Sequence, residues 1–258
     1  MNNKKSPIIS SKKSLLFTLL CLWQLSLQAS PVKPSPELKA FEAHYTLSKK
    51  GFTVAEMKRQ LTIEGNKVKY HSYATAAGIA ALFISDTITE QSIMIQDKNG
   101  LKPLSYSYER QGGSKHELTK LDFDWSKKRV NNSYLKKALP LSDNTFDLLG
   151  FQIIIAQQLG KGVKTIQFNV VEKKEIKRYT FTQKGTEQLK LAVAKPLTDT
   201  IHLGFYDKKK KRQLDIWAAP SLNYLPVRIK RTDDDGDTTL LEYFQPKYKN
   251  RLFDEDED

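Results

Sequence analysis

Cysteine is almost missing from this chain: Cys21 is the only one, and it lies inside the apolar run LLFTLLCLWQLSL, 15–27. One thiol cannot make a disulfide framework, and bulky Leu20 stands where lipoprotein-type processing at Cys21 would want a small residue. Catalytic signatures are missing as well. There is no G-x-S-x-G, H-E-x-x-H, P-loop or G-x-G-x-x-G, so the usual motifs for acyl transfer, zinc hydrolysis and nucleotide binding are excluded and no cofactor is implied. His44, His71, His116 and His202 stand singly; alternation places His44 and His202 opposite the apolar sets of their strands, as solvent-facing side chains and not ligands. No Gly/Ser linker and no internal repeat divides the sequence.

The first residues of the chain carry an address. Lys4, Lys5, Lys12 and Lys13 precede the apolar run, and Ala29-Ser30 offers a small-residue exit, the three-part pattern of a secretory signal peptide. The run is short for a membrane span. Residues 1–29 are therefore expected to be cleaved, leaving a chain without cysteine, exported to the periplasm and without a stable membrane span. The formal charge of +13 falls to +9 once the four signal lysines go, and 249–258 form an acidic C-terminal tail. A basic body suits solubility, and an anionic envelope surface is the partner class it would attract. An exported protein has no nucleic acid to meet.

Alternation is the strongest structural signal. Phe41, Ala43, Tyr45 and Leu47 share one face of a run whose other face is Glu42, His44, Thr46 and Ser48. Ala55, Met57, Leu61 and Ile63 alternate with Glu56, Lys58, Gln60 and Thr62 after a KKG turn. Further strands are predicted at 68–75, 88–96, 104–110, 118–125, 166–171, 176–181, 189–194, 201–206, 213–219, 225–231 and 239–244, separated by EGNK, DKNG, QGGS, WSKK, EKKE, QKGT and DDDGD turns. The fold class is mainly β: a large curled antiparallel sheet, a half-barrel or open barrel, in a single domain over 30–248. Its cover is a helix near 146–159, apolar nearly all round and hence embedded, with Ser142 to Thr145 as candidate caps and Gly160 and Gly162 as the stop. AAGIAALF, 76–83, reads as a turn or a hydrophobic flap at the sheet rim.

Two charged stretches resolve into turns. Asp233, Asp235, Gly236 and Glu242 match a calcium loop, but Arg231 puts a cation at its first ligand position, so a hairpin turn is preferred. The lysines 208–211 fall between two alternating strands and read as a hairpin tip that solvates the turn.

The ordered set LFISDTITEQSIMI, NGLKPLSYSYER, LDFDW, NTFDLLGF and LDIWAAPSLNYLPVRIK resembles the bacterial secreted family catalogued as domain of unknown function 3108, over roughly 41–244. The resemblance implies an exported protein of Gram-negative bacteria and no particular reaction. The architecture it implies is similar to the half-barrels of periplasmic lipoprotein carriers. On this reading the chain binds or carries an apolar, lipid-like ligand in the concave face of the sheet, with Ile79, Leu82, Phe83, Phe146, Leu149, Phe151 and Ile155 as candidate ligand-binding residues. The alternative is an envelope structural or protein-interaction module with a solid core. Catalysis ranks third, because nothing in the sequence brings carboxylates such as Asp122, Asp124 and Asp215 together.

Overall fold

The computed structural model describes residues 38–113, 116–191 and 197–245; the expected leader and acidic tail lie outside them. All the described elements belong to one compact unit, Lys33–Asp258. The first wing of the sheet runs through β1 (Phe41–Lys49), β2 (Phe52–Glu64), β3 (Lys67–Ala76), β4 (Thr87–Asp97), β5 (Gly100–Gln111), β6 (Glu117–Asp124), β7 (Arg129–Asn132) and β8 (Lys137–Pro140). The second comprises β9 (Thr145–Phe146), β10 (Thr165–Val171), β11 (Ile176–Leu189), β12 (Thr198–Asp207), β13 (Arg212–Ala219), β14 (Leu225–Thr232) and β15 (Thr238–Phe244). The single α-helix among the described residues, α1, is Phe151–Gly160.

All fifteen strands form one sheet in the order β8-β7-β6-β5-β4-β3-β2-β1-β15-β14-β13-β12-β11-β10-β9. Each wing is a meander, save that β9 joins β10 in parallel through the α1 crossover, and the two meet where β1 pairs antiparallel with β15, Tyr45 opposite Tyr243. The predicted alternation is what closes the interior: Leu61, Val68, Met94, Leu121, Phe181, Leu203 and Ile216 all face a common core with α1. The sheet is open, mainly antiparallel and curled far enough for its edges to be tied. Ser92 of β4 reaches Asp147 beyond β9, and Asn132 of β7 donates to the Lys173 carbonyl in the β10–β11 turn.

Four local readings change. The helix begins at Phe151 and not at 146, because Thr145 and Phe146 pair parallel with Asn169 and Val170 as β9. No side chain of Ser142 to Thr145 caps it: the first N–H groups, of Phe151, Gln152 and Ile153, find the carbonyls of Asp147, Leu149 and Gly150, and Asp147 Oδ1 accepts from the N–H groups of Leu149 and Gly150 in the turn that leads into the helix. QKGT is no turn: β11 passes through it with a bulge between Gln183 and Gly185, and residues 192–194 of the strand predicted next fall outside the described residues. His44 is buried, its Nε2 3.1 Å from Glu42 and its ring against Phe244, because the convex face is not uniformly wet. That face has its own apolar cluster of Leu189, Leu191, Trp217, Ala219 and Val227. The lysine tip and the DDDGD turn are hairpin ends, at β12–β13 and β14–β15.

The meander topology sends the β1–β2, β3–β4, β5–β6, β10–β11, β12–β13 and β14–β15 turns to one rim of the curled sheet. α1 runs from the middle of the concavity toward the opposite rim, where β10 begins. The half near the turn-rich rim is left as a mouth.

Candidate functional site

The inner wall carries polar groups where β2 to β5 approach the mouth. Arg59 of β2 is buried; its guanidinium donates to Gln152 Oε1 of α1 at 2.6 Å and lies 5.1 Å from the centre of the Tyr45 ring. Burial works against that charge, but the phenols of Tyr70 and Tyr45 and the Glu90 carboxylate hold the Arg59 pKa above its ordinary value. Tyr106 donates to Glu90 at 2.6 Å, and burial together with that carboxylate pushes its pKa well up. Tyr106 is thus a fixed donor.

Asp147 anchors the helix to the sheet. Its Oδ2 accepts from Ser92 at 2.6 Å while Oδ1 accepts from the Leu149 and Gly150 N–H groups, in the turn that leads into α1, at 2.9 and 2.7 Å. Burial raises its pKa to about 6, against the pull of those hydrogen bonds. The segment it fixes delivers Leu148 into the mouth.

Two cavities adjoin there, of about 340 Å³ and 170 Å³, and both are lined by Leu148, Glu172 and Lys173. The larger has Tyr179, Phe205 and Leu214 as its apolar lining and Lys210, Arg212 and Arg231 as its basic margin. Tyr179 and Phe205 stack with ring centres 4.5 Å apart. The smaller is lined by Tyr106, Tyr108, Leu121 and Val171, with Glu90 and Glu117 as its carboxylates. Lys210 pairs with Glu172 and Lys173 with Glu117, so the cations and carboxylates of the margin are tied to one another. A third cavity, of about 220 Å³, lies between α1 and the opposite rim.

The candidate ligand-binding residues separate into two groups. Phe146, Leu149, Phe151 and Ile155 belong to the buried core, with Phe151 packed against the rings of Phe168, Tyr179 and Phe181. Ile79, Leu82 and Phe83 are exposed on the 3₁₀ turn Gly78–Leu82 and its flank, at the rim end of β2 and β3. Neither group lines the two mouth cavities. The carboxylates also stay apart: Asp122 and Asp124 lie on β6, and Asp215 lies on β13 in the other wing.

The residues that build the mouth went unread in the sequence, though some left a trace. Arg59 shares the alternation of Ala55, Met57, Leu61 and Ile63, a charge in an apolar register. Glu90 and Ser92 break the same rule on the face of Ile88 and Met94. Such violations mark buried polar positions. Leu148 left none, because its place depends on how the wings curl. On the convex face, His202 stacks on Trp217 with centres 4.4 Å apart and reaches Glu187 and Asp215, each at 2.9 Å, an arrangement that holds β11, β12 and β13 together.

No curated protein matches the chain. Among solved structures, it is similar to a β-barrel-like protein of domain of unknown function DUF1849 from Brucella abortus. The two are 11% identical with a TM-score of 0.49 over 81% of this chain and 100% of that one. The model of a protein family of unknown function, DUF3108, matches residues 40–242, and the chain belongs to that family.

Proposed function

We propose that this is a non-enzymatic periplasmic protein that binds an apolar, lipid-like ligand at the mouth of its concave sheet. The observation that supports the reading is the pair of adjoining cavities around Leu148, in which Tyr179, Phe205, Leu214 and Leu121 supply apolar wall and the charged lining groups Glu172, Lys210, Glu117 and Lys173 are paired with one another. Together they reach the size of small-molecule sites, roughly 300–1,000 Å³, in which few polar groups orient a mostly apolar ligand. An acyl chain would lie against Leu148 and the stacked Tyr179–Phe205 pair. The helix stays in place on this reading, since Arg59–Gln152 and Asp147–Ser92 clamp it to the wall and displacing it would strand buried polar groups.

The clamped helix and the packed core beneath it favour the second reading, an envelope structural or interaction module that takes no ligand. Thermal melts with and without a fluorescent fatty acid separate the two. A ligand held only by the folded state stabilises it by about 2.7 kcal/mol at a hundred times its Kd. Leu148→Trp, which fills the wall common to both cavities, should remove that shift while the ligand-free melt stays close to wild type. No shift with any of a panel of envelope lipids leaves the interaction module standing. The export component is checked separately by N-terminal sequencing, with a start near Ser30 expected.

A further inference from the structure

The rim around the mouth has a second feature. The 3₁₀ turn Gly78–Leu82 and the residues after it expose Ile79, Leu82 and Phe83 at 68, 78 and 82%, and Phe52, the first residue of neighbouring β2, is 68% exposed. Scattered exposed apolar side chains are ordinary. These are grouped: the Ala77 N–H donates to Val54 O beside Phe52, and Gly78 approaches Thr53 so closely that a Cβ would lie 2.9 Å from its carbonyl oxygen.

The loop is also tied to the sheet at both ends. At its far end Arg110 pairs with Asp86, and Gly112, at φ +100°, leaves only 2.5 Å between the position of a Cβ and Ser85 O. Fixed at both ends, the loop presents its apolar side chains to solvent as a preformed surface. A loop free to move could fold them back onto the sheet.

The charge on the same rim identifies the partner. Lys49, beside Phe52, and Lys136, Lys137, Lys174 and Lys208 on the other turns of this rim are exposed and have no ion pair among the described residues. The aspartates of the β14–β15 turn are largely countered, Asp233 by Arg231, Asp234 by Lys211 and Asp237 by Lys50. An apolar tip among unneutralised lysines is complementary to the surface of an anionic bilayer, into which the tip inserts while the lysines meet the headgroups. We propose that this rim docks on anionic phospholipid membranes through the loop carrying Ile79, Leu82 and Phe83, with Phe52 beside it. Docking would turn the mouth toward the lipid layer. It does not depend on the mouth holding a ligand.

The test is co-sedimentation of the chain from Ser30 onward with phosphatidylcholine vesicles, with and without phosphatidylglycerol. Binding is expected only when phosphatidylglycerol is present, and it should weaken as salt is added. The double substitution Leu82→Ser, Phe83→Ser should reduce it by about tenfold or more, because two inserted side chains are lost, and it should leave the melt unchanged, because both are exposed. Phe83→Trp gives an independent readout: its emission should shift to the blue on the anionic vesicles alone. Equal binding by wild type and the double variant overturns the proposal, as does equal binding to neutral vesicles. A self-association that the double variant abolishes, with no vesicle binding, would assign the surface to a second copy of the chain and overturn it too.

Discussion

The two halves of the concavity are built from one sheet and behave as opposites. Toward the rim where β10 begins, α1 fills the space with Phe151, Ile154, Ile155 and Leu159, and rings from β10 and β11 pack on Phe151. Toward the turn-rich rim the sheet carries Glu90, Tyr106 and Tyr108 on β4 and β5 and Lys173 in the β10–β11 turn, and the filling stops at Leu148. Both halves sit on continuous strands, so backbone geometry cannot be the source of the difference. It comes from which residue occupies each inward position: an apolar one that packs, or a polar one that must keep a partner. A curled sheet can thus be filled by a helix at one end, where the remaining cavity lies outside α1 at the rim, and be left open at the other.

The largest expected effect comes from opening the solid half. Phe151→Ala removes a buried ring that touches Phe168, Tyr179 and Phe181 and should destabilise the protein by about 3–5 kcal/mol in urea unfolding. A loss below about 1 kcal/mol would mean that this half is as loosely packed as the mouth.

Next is the boundary between the halves. The Asp147 carboxyl is raised from 3.8 to about 6 in the folded chain, so the fold binds its proton more tightly than the unfolded chain does. Its stabilising contribution is present below pH 3.8 and is lost as pH rises through about 6. Stability measured relative to Asp147→Asn should therefore fall by about 2.5 kcal/mol between pH 3.8 and pH 7. A flat difference between the two proteins would remove the buried carboxylate from the account of the boundary.

The mouth should respond more weakly in stability. Leu148 is already 36% exposed, so Leu148→Ala should cost less than about 1 kcal/mol, yet it should lower the affinity for a fluorescent fatty acid several-fold in a titration. A large stability loss with unchanged affinity would make Leu148 part of the core and erase the contrast between the halves. The smallest effect belongs to the rim. Lys208→Ala, at the exposed hairpin tip, should change stability by no more than about 0.5 kcal/mol while measurably weakening the salt-sensitive attraction to anionic vesicles.

Much of the fold was legible because it is local. Phe41, Ala43, Tyr45 and Leu47 announce a strand through a two-residue period, and KKG, DKNG and EKKE announce its turns by composition. The embedded helix is visible in FQIIIAQQLG for the same reason, and Gly160 marks its end. The errors are equally particular. Thr145 and Phe146 pass for helix because caps and apolar residues are all that a local window sees; the parallel pairing to Asn169 and Val170 arises from a strand some twenty residues later. QKGT passes for a turn because a bulge and a turn draw on similar residues. His44 passes for a wet side chain because alternation is silent about what covers the outer face.

The candidate site was less legible still. The apolar composition of the helix and of the 76–83 segment singled out Phe151 and Phe83 alike, and only the structure sends one to the core and the other to the rim. By itself the sequence determined a mainly β chain of alternating strands, one embedded helix and lysine-rich turns, since these follow from side-chain period and turn chemistry within a few residues. The tertiary structure alone decided that β1 would pair with β15, that Ser92 would meet Asp147 across 55 positions, and that Leu148 would stand between two cavities. Those are meetings of residues far apart in the chain, and their register is set by how the wings twist and curl around a common core.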